Sequence, residues 1–167
     1  SYEAKGTDAG DYDGKFTGTV KIVDASGVDV TKNYAITQTQ GKLVIKPVED
    51  KVTVTITGHK DTVTYDGTQK TVTGYDVVIS DSKNLYTEND FTFSGTKTVS
   101  GTNANTYPMG LDKNQFQNNN TKNFTNVEFI VTDGKLVINK RPVTVTATKL
   151  SYTYDGQAHP AADVVRY

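Results

Sequence analysis

The sequence predicts an all-β protein built from small repeated domains. Its 167 residues include 27 Thr and 20 Val but only 5 Leu, and β-branched residues favour strands over helices. Apolar and polar residues alternate in short runs separated by Gly, Asn, Asp and Ser, and no run has helical periodicity. These observations favour tandem small β-sandwich (Ig-like) or open-barrel domains, with β-grasp-like α+β repeats as the alternative.

The chain repeats itself at an offset of 89 to 95 residues, which indicates repeated domains rather than short solenoid units. The matching segments, in chain order, are 6–12 with 101–107, 31–34 with 121–124, 41–46 with 134–139, 51–55 with 142–146, and 64–67 with 153–156. Prolines follow the strand that closes each copy and restrict further pairing. The predicted domains are therefore the back part of one repeat (1–46), a complete repeat (47–141) and the start of another (142–167). An alternative frame gives two similar domains, 1–75 and 76–167.

The strands of the complete repeat follow from the alternation of residue types. Val52, Val54 and Ile56 alternate with threonines, which predicts a strand with one buried face. Shorter strands are predicted at 63–65, 75–79, 91–93 and 97–99. The pair Asp133–Gly134 favours a hairpin turn, so strands 127–132 and 135–139 are expected to pair with each other. The equivalent hairpin of the first copy would turn at Gln40–Gly41.

The polar segment 112–123 is predicted to be a solvated loop, with a recognition loop as the sharper alternative. Tyrosine can stack on sugars or anchor an interface, and amide side chains can hydrogen-bond to a ligand. The candidate ligand contacts are therefore Tyr86 and the asparagines Asn118, Asn119 and Asn120.

The composition argues against several other functions. A net charge of −1 without a basic block argues against nucleic-acid binding, and no apolar run approaches the roughly 18–20 residues that span a bilayer. The chain has no cysteine, and His59 and His159 stand alone in predicted turns. Asp8, Asp11 and Asp13 could form a calcium loop, but the second copy does not keep them. The sequence therefore predicts no catalytic residue, cofactor or metal site, and no enzyme.

The repeated motifs resemble the MBG/YDG-type repeats of bacterial surface proteins. The resemblance rests on Thr64–Lys70 with its Tyr-Asp-Gly turn, on the Gly-Thr-Asn-Ala segment from Gly101, and on the closing motifs Asn33–Lys46 and Asn123–Lys140. It implies a non-catalytic tandem module of an extracellular, wall-attached, adhesin-like protein, in which the module acts as a stalk. The alternative is a module that recognises a host glycan or surface protein through exposed loops and tyrosines.

Two further expectations concern neighbouring repeats. The first residues contain no initiator Met and no signal peptide, so we expect the chain to be a piece of a larger protein. Residues 1–46 lack the leading strands of a repeat, and residues 142–167 carry the matching sequence. We therefore expect 142–167 of the same or a neighbouring molecule to pair with 1–46 by strand addition.

Overall fold

The computed structural model describes residues 1–146 and 150–159, and within these ranges the fold is all-β, as predicted. No helix in this part of the chain exceeds three residues, and the three short 3-10 helices are Thr31–Asn33, Glu88–Asp90 and Lys113–Gln115. The α+β alternative is therefore not observed there. The strands, in chain order, are β1 Tyr2–Glu3, β2 Gly10–Asp13, β3 Lys15–Phe16, β4 Lys42–Ile45, β5 Val52–Gly58, β6 Lys60–Thr64, β7 Lys70–Thr73, β8 Tyr75–Ser80, β9 Phe91–Phe93, β10 Thr98–Gly101, β11 Asn105–Pro108, β12 Phe116–Asn118, β13 Val127–Thr132 and β14 Lys135–Asn139.

Two long bent strands form the centre of the complete repeat. Strands β5 and β6 are separated by one residue, His59, and β13 and β14 are separated by Asp133–Gly134. β13 pairs in parallel with β5, and β14 pairs in parallel with β6. The register is constant across the bend, since Val127 lies opposite Val52 and Lys135 lies opposite Lys60. Lys135 N–H also donates to the His59 carbonyl at 3.1 Å, which links the two ladders.

The predicted hairpin at Asp133–Gly134 is therefore wrong. The chain bends there without reversing, and β13 and β14 lie in different three-stranded sheets, β13-β5-β8 and β11-β14-β6. The turn residues are used instead to bend the strand, with the Asp133 carboxylate accepting from the N–H groups of Gly110 and Leu111 at 3.1 and 2.8 Å. The parallel pairing outweighs the local preference for a turn, because it forms hydrogen bonds to many more backbone N–H and C=O groups.

A two-stranded ribbon covers each three-stranded sheet and gives a two-layer core. Ribbon β9-β12 packs against the first sheet, and ribbon β7-β10 packs against the second. The buried residues of the first layer pair are Val52, Val54, Ile56, Tyr86, Phe91, Phe116 and Phe124. Those of the second are Val72, Met109, Leu111, Leu136 and Ile138. The alternation read from the sequence is confirmed, because Val52, Val54 and Ile56 have no exposed surface.

The first 46 residues contain only part of this arrangement. β2 pairs antiparallel with β4, as β11 pairs with β14 in the complete repeat. Residues 34–40 contain no strand, so the hairpin predicted at Gln40–Gly41 is also absent. β1 and β3 form a separate two-stranded ribbon. The chain thus runs from the C-terminal end of β4 through Pro47 directly into the complete repeat.

The bend places His59 beside Asp76 and gives a testable pH dependence. His59 Nδ1–H donates to the Thr73 carbonyl at 2.8 Å, and Nε2 lies 3.2 Å from Asp76 Oδ1. The hydrogen bond to Asp76, aided by the Thr73 carbonyl, raises the pKa of His59 above its ordinary value of 6.5. The protonated imidazolium is therefore favoured by folding. This contribution to stability is present in full below the ordinary pKa and is lost as the pH rises through the raised value.

We expect an NMR titration to give a pKa for His59 above the ordinary histidine value, and we expect Asp76→Asn to lower it because the carboxylate partner is removed. Thr53→Ala, at the other end of β5 and opposite Ser80, should leave the titration unchanged. An unchanged His59 titration in the Asp76→Asn variant would contradict the assigned cause.

Candidate functional site

The four predicted ligand contacts lie together, and they bond to one another and to the surrounding backbone. The single hydrogen of the Tyr86 hydroxyl is shared between two acceptors, the Asp90 carbonyl oxygen at 2.9 Å and Asn118 Oδ1 at 3.2 Å. Asn120 Nδ2 donates to Asp90 Oδ1 at 2.7 Å, and Asn119 Nδ2 donates to the Asn89 carbonyl at 3.2 Å. The group therefore ties the turn before β9 to the end of β12.

Tyr86 is not part of an exposed tyrosine surface, because it is only 4% exposed and its ring packs edge-on against Phe124 at 4.9 Å. Burial, aided by the nearby negative charge of Asp90, raises the pKa of Tyr86 to about 12. Burial opposes ionisation of Asp90 as well, but hydrogen bonds from Asn120 and Thr87 outweigh it and lower the pKa of that carboxyl. The Asp90 carboxylate and the Tyr86 hydroxyl are therefore engaged in hydrogen bonds within the protein. A role of these residues in ligand contact stays a prediction.

The segment 112–123 also contains regular secondary structure. Asp112 caps the short helix Lys113–Gln115 by accepting from Asn114 N–H at 2.8 Å. β12 follows and pairs with β9, and it carries Phe116, which is 5% exposed, into the core. The expectation of a loop is therefore wrong for residues 113–118, which form a short helix and a strand, whereas seven of the twelve side chains are exposed as expected.

The three aspartates of the first copy do not converge on a common point. Asp8 bonds to Asn123 and lies 3.9 Å from Lys122 Nζ. Lys42 Nζ lies 3.6 Å from Asp11 and 3.9 Å from Asp13. Within the described ranges, no group of three or more His, Cys, Asp or Glu side chains could hold a metal ion.

A contact between consecutive repeats is the site that the sequence alone did not reveal. Asn123 Oδ1 accepts from Ala9 N–H at 2.6 Å, and its Nδ2 donates to Asp8 Oδ1 at 2.9 Å. Both groups of one amide thus hold a turn that lies 114 residues away in sequence. Ala9 is consequently buried, at 6% exposure.

The linker between the two repeats strengthens this contact. Immediately after Pro47, Val48 forms a parallel bridge with Phe124, and its N–H donates to the Asn123 carbonyl at 2.8 Å. Asn123 therefore contacts the preceding repeat through its side chain and the linker through its backbone. The sequence held one signal for it, since Thr-Lys-Asn followed by an aromatic residue occurs in both copies, at 31–34 and 121–124.

The equivalent turn of the complete repeat is less buried. Asn103 and Ala104 correspond to Asp8 and Ala9, and Ala104 is half-buried where Ala9 is buried. A cavity of about 900 Å³ lies beside this turn. It is lined by Tyr65, Asn103, Ala104, Lys140, Arg141, Pro142 and Val143.

No helix among the described residues has the length and apolar character to cross a membrane. Comparison with curated proteins and with solved structures found no match. The family of the MBG domain matches residues 51–140, a span that contains both bent strands and the ribbons that cover them. Domains of this family are typical of surface proteins. The chain therefore belongs to the MBG domain family, as its repeated motifs predicted.

Proposed function

We propose that this chain is a non-catalytic spacer of an extracellular, wall-attached bacterial protein, in which consecutive MBG repeats hold a distal part of the protein away from the cell. The single observation that carries the proposal is the bonded contact between Asn123 and the Asp8–Ala9 turn. A spacer needs repeats that keep a fixed order and orientation. A short linker with backbone and side-chain bonds on both sides provides that restraint.

The distribution of polar side chains supports the same function. The asparagine-rich segment bonds to its own backbone and to Asp90, so much of its hydrogen-bonding capacity serves the fold. The alternative, recognition of a host glycan or surface protein, would need free polar and aromatic groups at one place. Tyr86, the tyrosine among the candidate contacts, is buried, so the spacer has the stronger support.

The restraint can be measured with two spin labels, because the chain has no native cysteine. Ser26→Cys and Thr96→Cys place one label in each repeat, at exposed positions. Double electron–electron resonance should give a narrow distance distribution. Asn123→Ala, which removes both side-chain bonds to the preceding repeat, should broaden it.

Asn114→Ala is the matched control, since Asn114 is exposed and its helix lies outside this contact. A broad distribution in the parent chain, or no effect of Asn123→Ala, would overturn the spacer proposal. A glycan array separates the alternative. A specific signal that is lost on Asn119→Ala would favour recognition, whereas a flat array supports the spacer.

A further inference from the structure

Strand β8 forms one edge of the first three-stranded sheet, and the outer side of this strand is open. β8 pairs with β5 on one side, and no strand pairs with its other side among the described residues. The strand lies well inside the family match at 51–140, so this edge belongs to the repeat itself. Its sequence, Tyr-Asp-Val-Val-Ile-Ser, contains no glycine, proline or lysine.

The other edges of the two three-stranded sheets carry features that discourage pairing with a further strand. β6 carries the exposed charges of Lys60 and Asp61, and β11 ends in Pro108. β13 contacts the short helix Lys113–Gln115. Charges, proline and covering elements are the usual means by which proteins protect an exposed strand edge. β8 has only the single charge of Asp76, so it is the least protected of these edges.

The backbone groups that face the open side of β8 follow from its pairing with β5. His59 N–H donates to the Gly74 carbonyl at 3.1 Å, one step beyond the β5-β8 ladder. Bonding directions alternate along an antiparallel strand, so every second residue from Gly74 onward bonds to β5. Tyr75, Val77 and Ile79 therefore present their N–H and C=O groups to the open side.

The side chains at this edge are incompletely covered on both faces of the sheet. On the core face, Val77 and Ile79 are only half-buried. Ile56 and Val54, which lie opposite them in β5, have no exposed surface. On the outer face, Val78 is 65% exposed. A further strand on this side would therefore cover apolar side chains on both faces and bond to the free backbone groups.

We propose that a second copy of this chain adds its own β8 antiparallel to this strand, with the Val78 side chains of the two copies opposite each other. The two three-stranded sheets then form one continuous six-stranded sheet about a two-fold axis. The contact uses the same surface of both copies, so it closes at the dimer. The inference concerns the edge of the repeat and does not depend on the spacer function.

The alternation of backbone groups along β8 fits a second copy in this register. With the axis at Val78, Val77 lies opposite Ile79 of the second copy, and both residues have free N–H and C=O groups. Each such pair exchanges two hydrogen bonds. Val78 then takes a non-hydrogen-bonded position, where opposite side chains are closest. The most exposed apolar side chain of the strand is thus covered by its own counterpart.

The charge of the strand is also compatible with its own copy. In this register Asp76 lies opposite Ser80 of the second copy, whose hydroxyl can donate to the carboxylate. An axis at Val77 would instead place Asp76 opposite Val78, a charge against an apolar side chain. Asp76 is the only charge of β8, so no two like charges are opposed. Identical strands therefore complement each other in backbone bonding, apolar contact and charge.

Single-cysteine variants test the pairing, because the chain has no native cysteine. Val78→Cys places two thiols opposite each other across the axis, with the Cα atoms about 4.5 Å apart, a separation that permits a disulfide. We expect mild oxidation to convert most of this variant into a disulfide-linked dimer. Ser80→Cys is the matched control on the same face of the same strand. Its two copies would lie about 13 Å apart along the strands and should not cross-link.

A mixture of Asp76→Cys and Ser80→Cys tests the direction of the two strands. These positions lie opposite each other in the proposed register, so the mixture should give a disulfide between the two variants, identified by its mass. Neither variant should cross-link alone. Ile130→Cys lies on the outer face of the sheet but in β13, two strands from the edge. Cross-linking of Ser80→Cys or Ile130→Cys as efficient as that of Val78→Cys would overturn the proposal.

Sedimentation of the unmodified chain up to about 1 mM measures the association itself, since this range detects even a weak contact. We expect a monomer–dimer equilibrium that does not proceed beyond the dimer. A chain that stays monomeric at every concentration would overturn the proposal, and so would assembly into larger species.

Charge substitutions at the axis provide the matching test in solution. Val78→Lys opposes two like charges and removes the valine contact, so the dimer dissociation constant should rise about tenfold. An equal mixture of Val78→Lys and Val78→Glu should restore the association, because opposite charges then meet across the axis. Ile130→Lys, on the same face but away from the edge, should leave the dissociation constant unchanged. Unaltered association of Val78→Lys, or a mixture no stronger than either variant alone, would contradict pairing through this edge.

Discussion

Replacing Phe116 by alanine is expected to lower the free energy of unfolding by about 3–5 kcal/mol, the range for a large aromatic residue removed from a core. Phe116 is 5% exposed, and its ring centroid lies 4.7 Å from that of Phe93 and 5.5 Å from that of Tyr75. Phe91 and Phe129 complete its aromatic surroundings. Alanine would leave a cavity that these four aromatic neighbours on rigid strands cannot close.

Urea unfolding followed by circular dichroism measures this loss, and the neighbour Gln117 supplies the control. Gln117 is exposed on the same strand, so Gln117→Ala should change the free energy of unfolding by no more than about 0.5 kcal/mol. A loss of less than about 1 kcal/mol for Phe116→Ala would mean that segment 112–123 does not anchor the fold.

Substituting alanine at the bend, where the two long strands lie side by side, should have a comparable effect. We expect a loss of about 3 kcal/mol for Gly58→Ala or Gly134→Ala. A methyl group on Gly58 would clash with the Gly134 backbone, with the Gly134 Cα only 2.6 Å away. One on Gly134 would lie 2.6 Å from the His59 carbonyl oxygen. Because the obstacles are backbone atoms of paired strands, relief requires the parallel ladder to separate.

Thermal and urea unfolding of both variants and of the double variant measure this effect. The double variant should cost less than the sum of the single ones, since both substitutions separate the same two backbones. Gly18→Ala is the control for glycine replacement itself. Gly18 has a φ of +83° and no atom within 4 Å of the added methyl group, so its cost should be only about 1 kcal/mol. Equal losses in all three single variants would contradict the backbone clash at the bend as the cause.

Much of the fold could be predicted because its strands carry a local signal. The alternation of Val and Thr in β5 gave the strand and its buried face, and the repeat gave the family. The pairing of β13 could not be predicted in this way. Asp133–Gly134 has the chemistry of a hairpin turn, and only the presence of β5 and β6 at a constant register makes a bent parallel strand the better solution.

The candidate site shows the same limit. Tyr86 and the asparagines were selected because their side chains can bind ligands, and residue type alone does not reveal whether a partner already lies within the chain. The amide groups of Asn120 and Asn118 have such partners in Asp90 and Phe124. Asn123 has the same chemistry, but its position at the linker directs it to the preceding repeat.

The sequence by itself determined the all-β class, the repeat and the family, since these depend on residue types and spacings that persist along a short stretch of chain. The tertiary structure decided which strands pair, which tyrosine is buried, and which asparagine contacts the preceding repeat. Those features depend on contacts between residues far apart in sequence, as between Asn123 and Ala9. A strand sequence such as that of β4 and β14 is the same in both places, and its burial differs because burial depends on the neighbour that lies beside it.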